Sequence, residues 1–189
     1  QGFVMQTTSL MIKYIKLFIL ILLCLISSPA LAKGRYSFFV DGGDLYVLNF
    51  SNSNDRFFMP LAGDHKDWAI VDAFKEINGD TYFAIFQKKP SNPENHEGFC
   101  GSGIELWLHV YKLNKNGVSL IGTILASSCK ESFSMASLES GSPGSDSDYS
   151  SFKWTDAGFS IEWFSKRDKY GVNILKTLYL IKNNSIYSE

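Results

Sequence analysis

The chain has 189 residues, of which 45% are hydrophobic and 15% aromatic, and a formal net charge of −1. That length suits one domain with a sizeable core, and the near balance of charge, without a basic run, leaves no electrostatic footprint for nucleic acid or anionic lipid. Only three cysteines and three histidines are present, which narrows the thiol, metal and general-base chemistry within reach.

Residues 1–10 lie upstream of a start at Met11 and are set aside. Lys13 and Lys16 precede an apolar run from Leu17 to Ile26, Ser27-Ser28-Pro29 breaks it, and Ala30-Leu31-Ala32 follows. Charged start, short apolar middle and small-x-small exit are the parts of a secretory signal peptide at 11–32, cleaved after Ala32. A membrane anchor is the competing reading, but the run falls short of the about 20 apolar residues a span needs. Lipid attachment at Cys24 is disfavoured by bulky Leu23 before it. The expectation is export to a periplasmic or secreted location, with no stable membrane anchor after cleavage. Loss of the leader removes Lys13 and Lys16 and no acid, so the net charge moves from −1 to −3.

The portion 33–189 opens with Arg35 to Val40 and Leu45 to Phe50 around Asp41-Gly42-Gly43-Asp44, a hairpin pattern. Asp41 and Asp44 could hold a cation, yet carboxylates flanking glycines are more often turn formers, and no further oxygen ligand is evident nearby. Ser51 to Arg56 reads as a polar loop and Phe57 to Leu61 as a short apolar interruption. Trp68 to Ile77 is ambiguous. Ile70, Phe74 and Ile77 suit a helical face that Asp67 could cap. Asn78-Gly79-Asp80 also turns a hairpin into the aromatic run Thr81 to Gln87, and two strands are the preferred reading.

Lys88 to Gly98, with Pro90 and Pro93, leads into Phe99 to Lys130, the stretch around which the chain is organised. Ile104, Leu106, Leu108 and Val110 alternate with Glu105, Trp107, His109 and Tyr111, so the two sets fall on opposite faces of a strand. Asn114-Lys115-Asn116-Gly117 supplies a turn, with Asn-Gly a source of positive φ, and Val118 to Ser127 returns. If Leu113 pairs with Val118, Cys129 lies opposite Ser102, and a bulge at Gly101 or Gly103 would bring it to Cys100. In an oxidising compartment Cys100 and Cys129 then form a disulfide, worth roughly 3–4 kcal/mol in the chain-entropy picture. Free thiols or half a metal site are the alternatives.

Beyond Cys129, residues 134–151 include the small, polar Ser140 to Asp148 and are expected to form a flexible surface loop. Phe152 to Trp154, the alternating Phe159 to Trp163, a charged turn at Lys166-Arg167-Asp168-Lys169, and a last strand from Val172 to Lys182 complete the chain. The pattern predicts an all-β, single antiparallel domain, a sandwich or barrel of roughly eight strands.

No catalytic site is assigned. A Gly-x-Ser-x-Gly elbow is missing, the disulfide removes the thiol nucleophile, and only His65, His96 and His109 could act as bases. Glu105 and His109 share a face but stand ~13 Å apart along a strand, too far for one ion. Asp64, His65 and Asp67 read as a solvated turn. No metal and no cofactor is expected. Glu105, Asp156 and Glu162 are the acids from which a carboxylate-based hydrolase would be assembled. What remains is the Glu105, Trp107, His109, Tyr111 face, which suits either a binding surface or a second buried layer. The functional expectation is an exported, non-catalytic interaction protein, such as an inhibitor or accessory factor, with an unidentified exported protein as partner. A carbohydrate or small-ligand module binding a glycan on that aromatic face is the alternative, and the hydrolase a second one.

Overall fold

A computed structural model describes residues 36–42, 44–49, 56–59 and 67–189. The leader at 11–32, Cys24, and Asp64 and His65 of the polar turn lie outside the described residues. Among those described, no helix is long and apolar enough to cross a membrane.

Among the described residues eleven strands form three antiparallel meanders, taken in chain order. The first joins β1 (Tyr36–Asp41), β2 (Asp44–Asn49) and β3 (Arg56–Met59). The second joins β4 (Trp68–Ile77), β5 (Asp80–Pro90), β6 (Ile104–Asn114) and β7 (Gly117–Ser128). The third joins β8 (Phe152–Trp154), β9 (Gly158–Glu162), β10 (Lys176–Lys182) and β11 (Ser185–Ser188).

The second meander is the middle layer, and β5 shows why. Tyr82, Phe83, Ala84, Ile85 and Phe86 are all buried, a continuous apolar run rather than an alternating one, as a strand covered on both faces requires. Phe83 and Ile85 point one way and pack with Leu45, Val47 and Met59 of the first meander. Tyr82, Ala84 and Phe86 point the other way, into a core shared with Phe159, Ile161 and Tyr179 of the third. Aromatic pairs thicken both cores: Phe83 stacks on Tyr111 with centroids 5.2 Å apart, and Phe159 on Tyr179 at 4.9 Å. Lys112 ties two layers at their margin, its Nζ donating to Asp80 Oδ2 at 2.7 Å and to Asn184 Oδ1 at 3.0 Å.

The segment Trp68 to Ile77 is a strand. Asn78 (φ +53°) and Gly79 (φ +83°) form a two-residue turn that pairs it with β5. A second turn of this kind, Asn183 (+52°) and Asn184 (+58°), folds β11 back onto β10. That hairpin and the short β3 raise the strand number above the roughly eight expected. β10 begins only at Lys176, so Val172 to Leu175 belong to the arm of a preceding hairpin rather than to the last strand.

Cys100 and Cys129 are joined, with Cα atoms 5.8 Å apart. Leu113 pairs with Val118, but two register shifts along β6–β7, between Leu106 and Trp107 and between Val110 and Tyr111, bring Glu105 opposite Ser128 and so widen the slip between Cys129 and Cys100 from two residues to four. The gap is closed outside the ladder by consecutive tight turns, Gly101 N donating to Gly98 O at 2.8 Å and Gly103 N to Cys100 O at 3.0 Å, with Cys100 itself at φ +57°. The glycines have another use. A Cβ on Gly103 would meet Cys129 Sγ at 2.6 Å, and one on Gly101 would collide with the His96 carbonyl, so the chain closes tightly around the bridge. At the far end of the hairpin Lys115 and Asn116 are the central turn pair, and positive φ falls on Gly117 (+151°) rather than on Asn116.

The 134–151 segment is anchored at both ends. Ser137 N donates to Ser151 Oγ at 2.7 Å, Ser137 Oγ donates to Asp148 O at 2.6 Å, and Tyr149 stacks on Phe86 at 4.7 Å. Its exposed stretch begins at Glu139 and includes Pro143 and Gly144.

Candidate functional site

The four β6 side chains singled out by alternation do share a face, but the structure gives them different surroundings. Tyr111 is buried in the core between the first and second meanders, and burial pushes its pKa up to about 12. His109 is half-buried beside it. Its Nε2 lies 3.1 Å from Gln87 Oε1 and its Nδ1 3.1 Å from Thr123 Oγ1. Because an amide oxygen can only accept, Nε2 carries the proton and Nδ1 accepts from the threonine hydroxyl. Burial, helped by the charge of Lys89, lowers the imidazole pKa and keeps the ring neutral.

Glu105 is a clamp. It accepts from Ser91 Oγ at 2.6 Å and from Lys130 N at 3.3 Å, which holds the strand ends on either side of the disulfide. Burial alone would raise its pKa, yet hydrogen bonds from Ser128, Ser91 and Lys130 outweigh it and leave the carboxyl below the usual range. Trp107, in register with Gln87 and Leu125, stays partly exposed. Of the four, it alone presents a large ring that solvent reaches without an obvious structural duty.

The other acids are engaged separately. Glu162 lies 3.7 Å from both Lys153 and Lys176, and Asp156 lies 3.3 Å from Lys75. Asp41 and Asp44 face each other across the β1–β2 turn, both exposed. Among the described residues no three His, Cys, Asp or Glu side chains gather as a metal site would need.

A second feature lies between β9 and β10. The chain from Trp163 to Leu175 folds back on itself: Trp163 N donates to Leu175 O at 2.8 Å, Ile174 N to Lys166 O at 2.9 Å, and Asp168 N to Val172 O at 2.9 Å. Asp168 fixes the tip, its Oδ1 accepting from Tyr170 N at 2.8 Å and Val172 N at 2.9 Å, while Gly171 supplies the positive φ of +81°. On this ordered backbone Phe164 is 63% exposed, Tyr170 77%, Val172 61% and Leu175 73%.

The base of the hairpin borders a groove of about 610 Å³, shared with the turn after the disulfide and lined by Glu131, Phe133, Phe164, Lys166, Arg167 and Asn173. A shallower depression of about 360 Å³ continues it past Phe164 to Ile104 and Cys129. Phe133 lines both and pairs edge-to-face with buried Trp163, centroids 5.7 Å apart. Lys166 Nζ sits over both rings, 3.8 Å from the centroid of Trp163 and 5.0 Å from that of Phe133. Burial lowers the Lys166 pKa, partly opposed by the charge of Glu131. The sequence marked this region only as a charged turn. Its available signal was Tyr170-Gly171-Val172, apolar side chains around a glycine where a solvated turn would carry polar ones.

The chain matches no protein-family model, no curated protein and no solved structure.

Proposed function

We propose that this is an exported protein, periplasmic or secreted, that works by binding another exported protein through the Trp163–Leu175 hairpin and the surface at its base. The hairpin carries the reading. Large apolar side chains are ordinarily buried or scattered singly over a surface, whereas Phe164, Tyr170, Val172 and Leu175 stand exposed on one hydrogen-bonded element. A pre-ordered aromatic and aliphatic surface loses little entropy on docking, which is what a binding element needs. Export is supported by the bridge, since disulfides persist in oxidising compartments.

The test is capture from the exported fraction with the protein immobilised, in parallel with Tyr170→Ser/Val172→Ser and Trp107→Ala variants of matched melting temperature. Loss of a specific protein partner from the hairpin variant alone is the expected result. Partner retention by that variant would overturn the reading. Partly exposed Trp107 favours a second reading, a glycan bound on the β6 face. Glycan-array binding that Trp107→Ala abolishes would establish that instead.

A further inference from the structure

The hairpin is charged in one direction. From Trp163 to Lys176 the chain carries Lys166, Arg167, Lys169 and Lys176 against a single acid, Asp168, in a chain whose net charge is −1. Asp168 is turned inward on the backbone amides of its own turn, so it offers little to a neighbour. Lys176 lies beside Glu162 at 3.7 Å. Lys166 differs from both. Its ammonium lies over the Trp163 and Phe133 rings in the groove and makes no hydrogen bond to an oxygen among the described residues. Glu131, the one acid lining the groove, acts on it through charge alone against the two cations Lys166 and Arg167. Arg167, the next residue, is exposed and also lines the groove, with Asn173 opposite it in the Arg167–Asn173 bridge. A cation held over aromatic rings in a concave site is partly desolvated, so an incoming carboxylate gains a stronger charge-assisted bond there than at an open surface.

We propose that this groove seats an acidic segment of the partner protein, an aspartate or glutamate carboxylate meeting Lys166 Nζ and the Arg167 guanidinium while a neighbouring apolar residue lies against Phe164. The proposal rests on the protein-binding reading above and names the chemistry of the partner. The groove has depth and an aromatic lining, which fits a side chain better than a flat lipid surface. Arg167 supplies a planar fork for the carboxylate and Lys166 a point charge behind it.

The probe is the peptide acetyl-Glu-Leu-Glu-Leu-Glu-amide, titrated into the isotope-labelled protein and followed by NMR at the backbone amides. Shifts are expected at residues 131–133 and 164–167. The Gln-for-Glu version should bind about tenfold more weakly, and Lys166→Met/Arg167→Met should weaken the Glu peptide by about the same factor, the scale of one charge-assisted hydrogen bond. Lys166→Arg should restore most of the affinity, and Lys115→Met, on the β6–β7 turn, should leave it unchanged. Equal binding of the Gln peptide, shifts confined to other surfaces, or no loss in the double variant would overturn the proposal. Retention on phosphatidylglycerol vesicles without any peptide-induced shift would overturn it too, in favour of a lipid surface. In the capture experiment, a partner lost with Tyr170→Ser/Val172→Ser but kept with Lys166→Met/Arg167→Met would leave the protein-binding reading standing and remove this one.

Discussion

His109 shows how a side chain with catalytic potential becomes a strut. Both ring nitrogens are engaged, one by Gln87 and one by Thr123, and protonation would cost the bond from the threonine hydroxyl. Its folded pKa lies below the ordinary 6.5, because burial and Lys89 disfavour the charged ring. The stability it contributes is therefore whole above pH 6.5 and is lost as pH falls through that value toward the lower folded pKa. Thermal unfolding between pH 7.5 and 5 should show a fall in melting temperature that His109→Gln flattens. An identical slope in the variant would assign the pH dependence to other groups. Alternation put Glu105, Trp107, His109 and Tyr111 on one face, which is a backbone property and survives. It could not tell that Tyr111 lies under the first meander, or that Glu105 turns to Ser91 and Lys130, because both depend on chain segments distant in sequence.

At the scale of elements, strands announced themselves where alternation or aromatic runs were long, and failed to where a turn changed their bounds. β4 was recognisable because Asn78-Gly79 must turn, and the central hairpin because Leu113 and Val118 flank another turn. β11 was missed although Asn183-Asn184 is a turn pair of the same kind, since Val172 to Lys182 read as one unbroken strand. The disulfide followed from spacing and hairpin register, while the route to it, through the tight turns at 98–103, did not. The bridge and the Glu105 clamp restrain the same ends of β6 and β7, so they act on one element. Removing the bridge in Cys100→Ser/Cys129→Ser should destabilise by about 3 kcal/mol in chemical denaturation, with the β fold retained in circular dichroism. Loss of less than about 1 kcal/mol would mean the clamp and strand pairing already hold that end, contrary to the entropic argument.

Across the whole of 36–189, the order of the meanders explains what is buried and what is left outside. A sheet covered on both sides needs a doubly apolar central strand, which β5 supplies, and an outer sheet on each face, which the first and third meanders supply. The all-β class was legible from the start, but the three-layer arrangement was not, because alternation says which residues share a face and nothing about what covers it. The same limit applies to the interaction surface. Phe164, Tyr170, Val172 and Leu175 could equally have packed into the core, and only the hairpin between β9 and β10 leaves them exposed. A photo-crosslinking amino acid placed at position 170, with a second protein carrying it at position 107, addresses that surface directly in the exported fraction. A discrete protein adduct from position 170 and none from 107 is the predicted result; adducts from 107 alone, or from neither position, would contradict it.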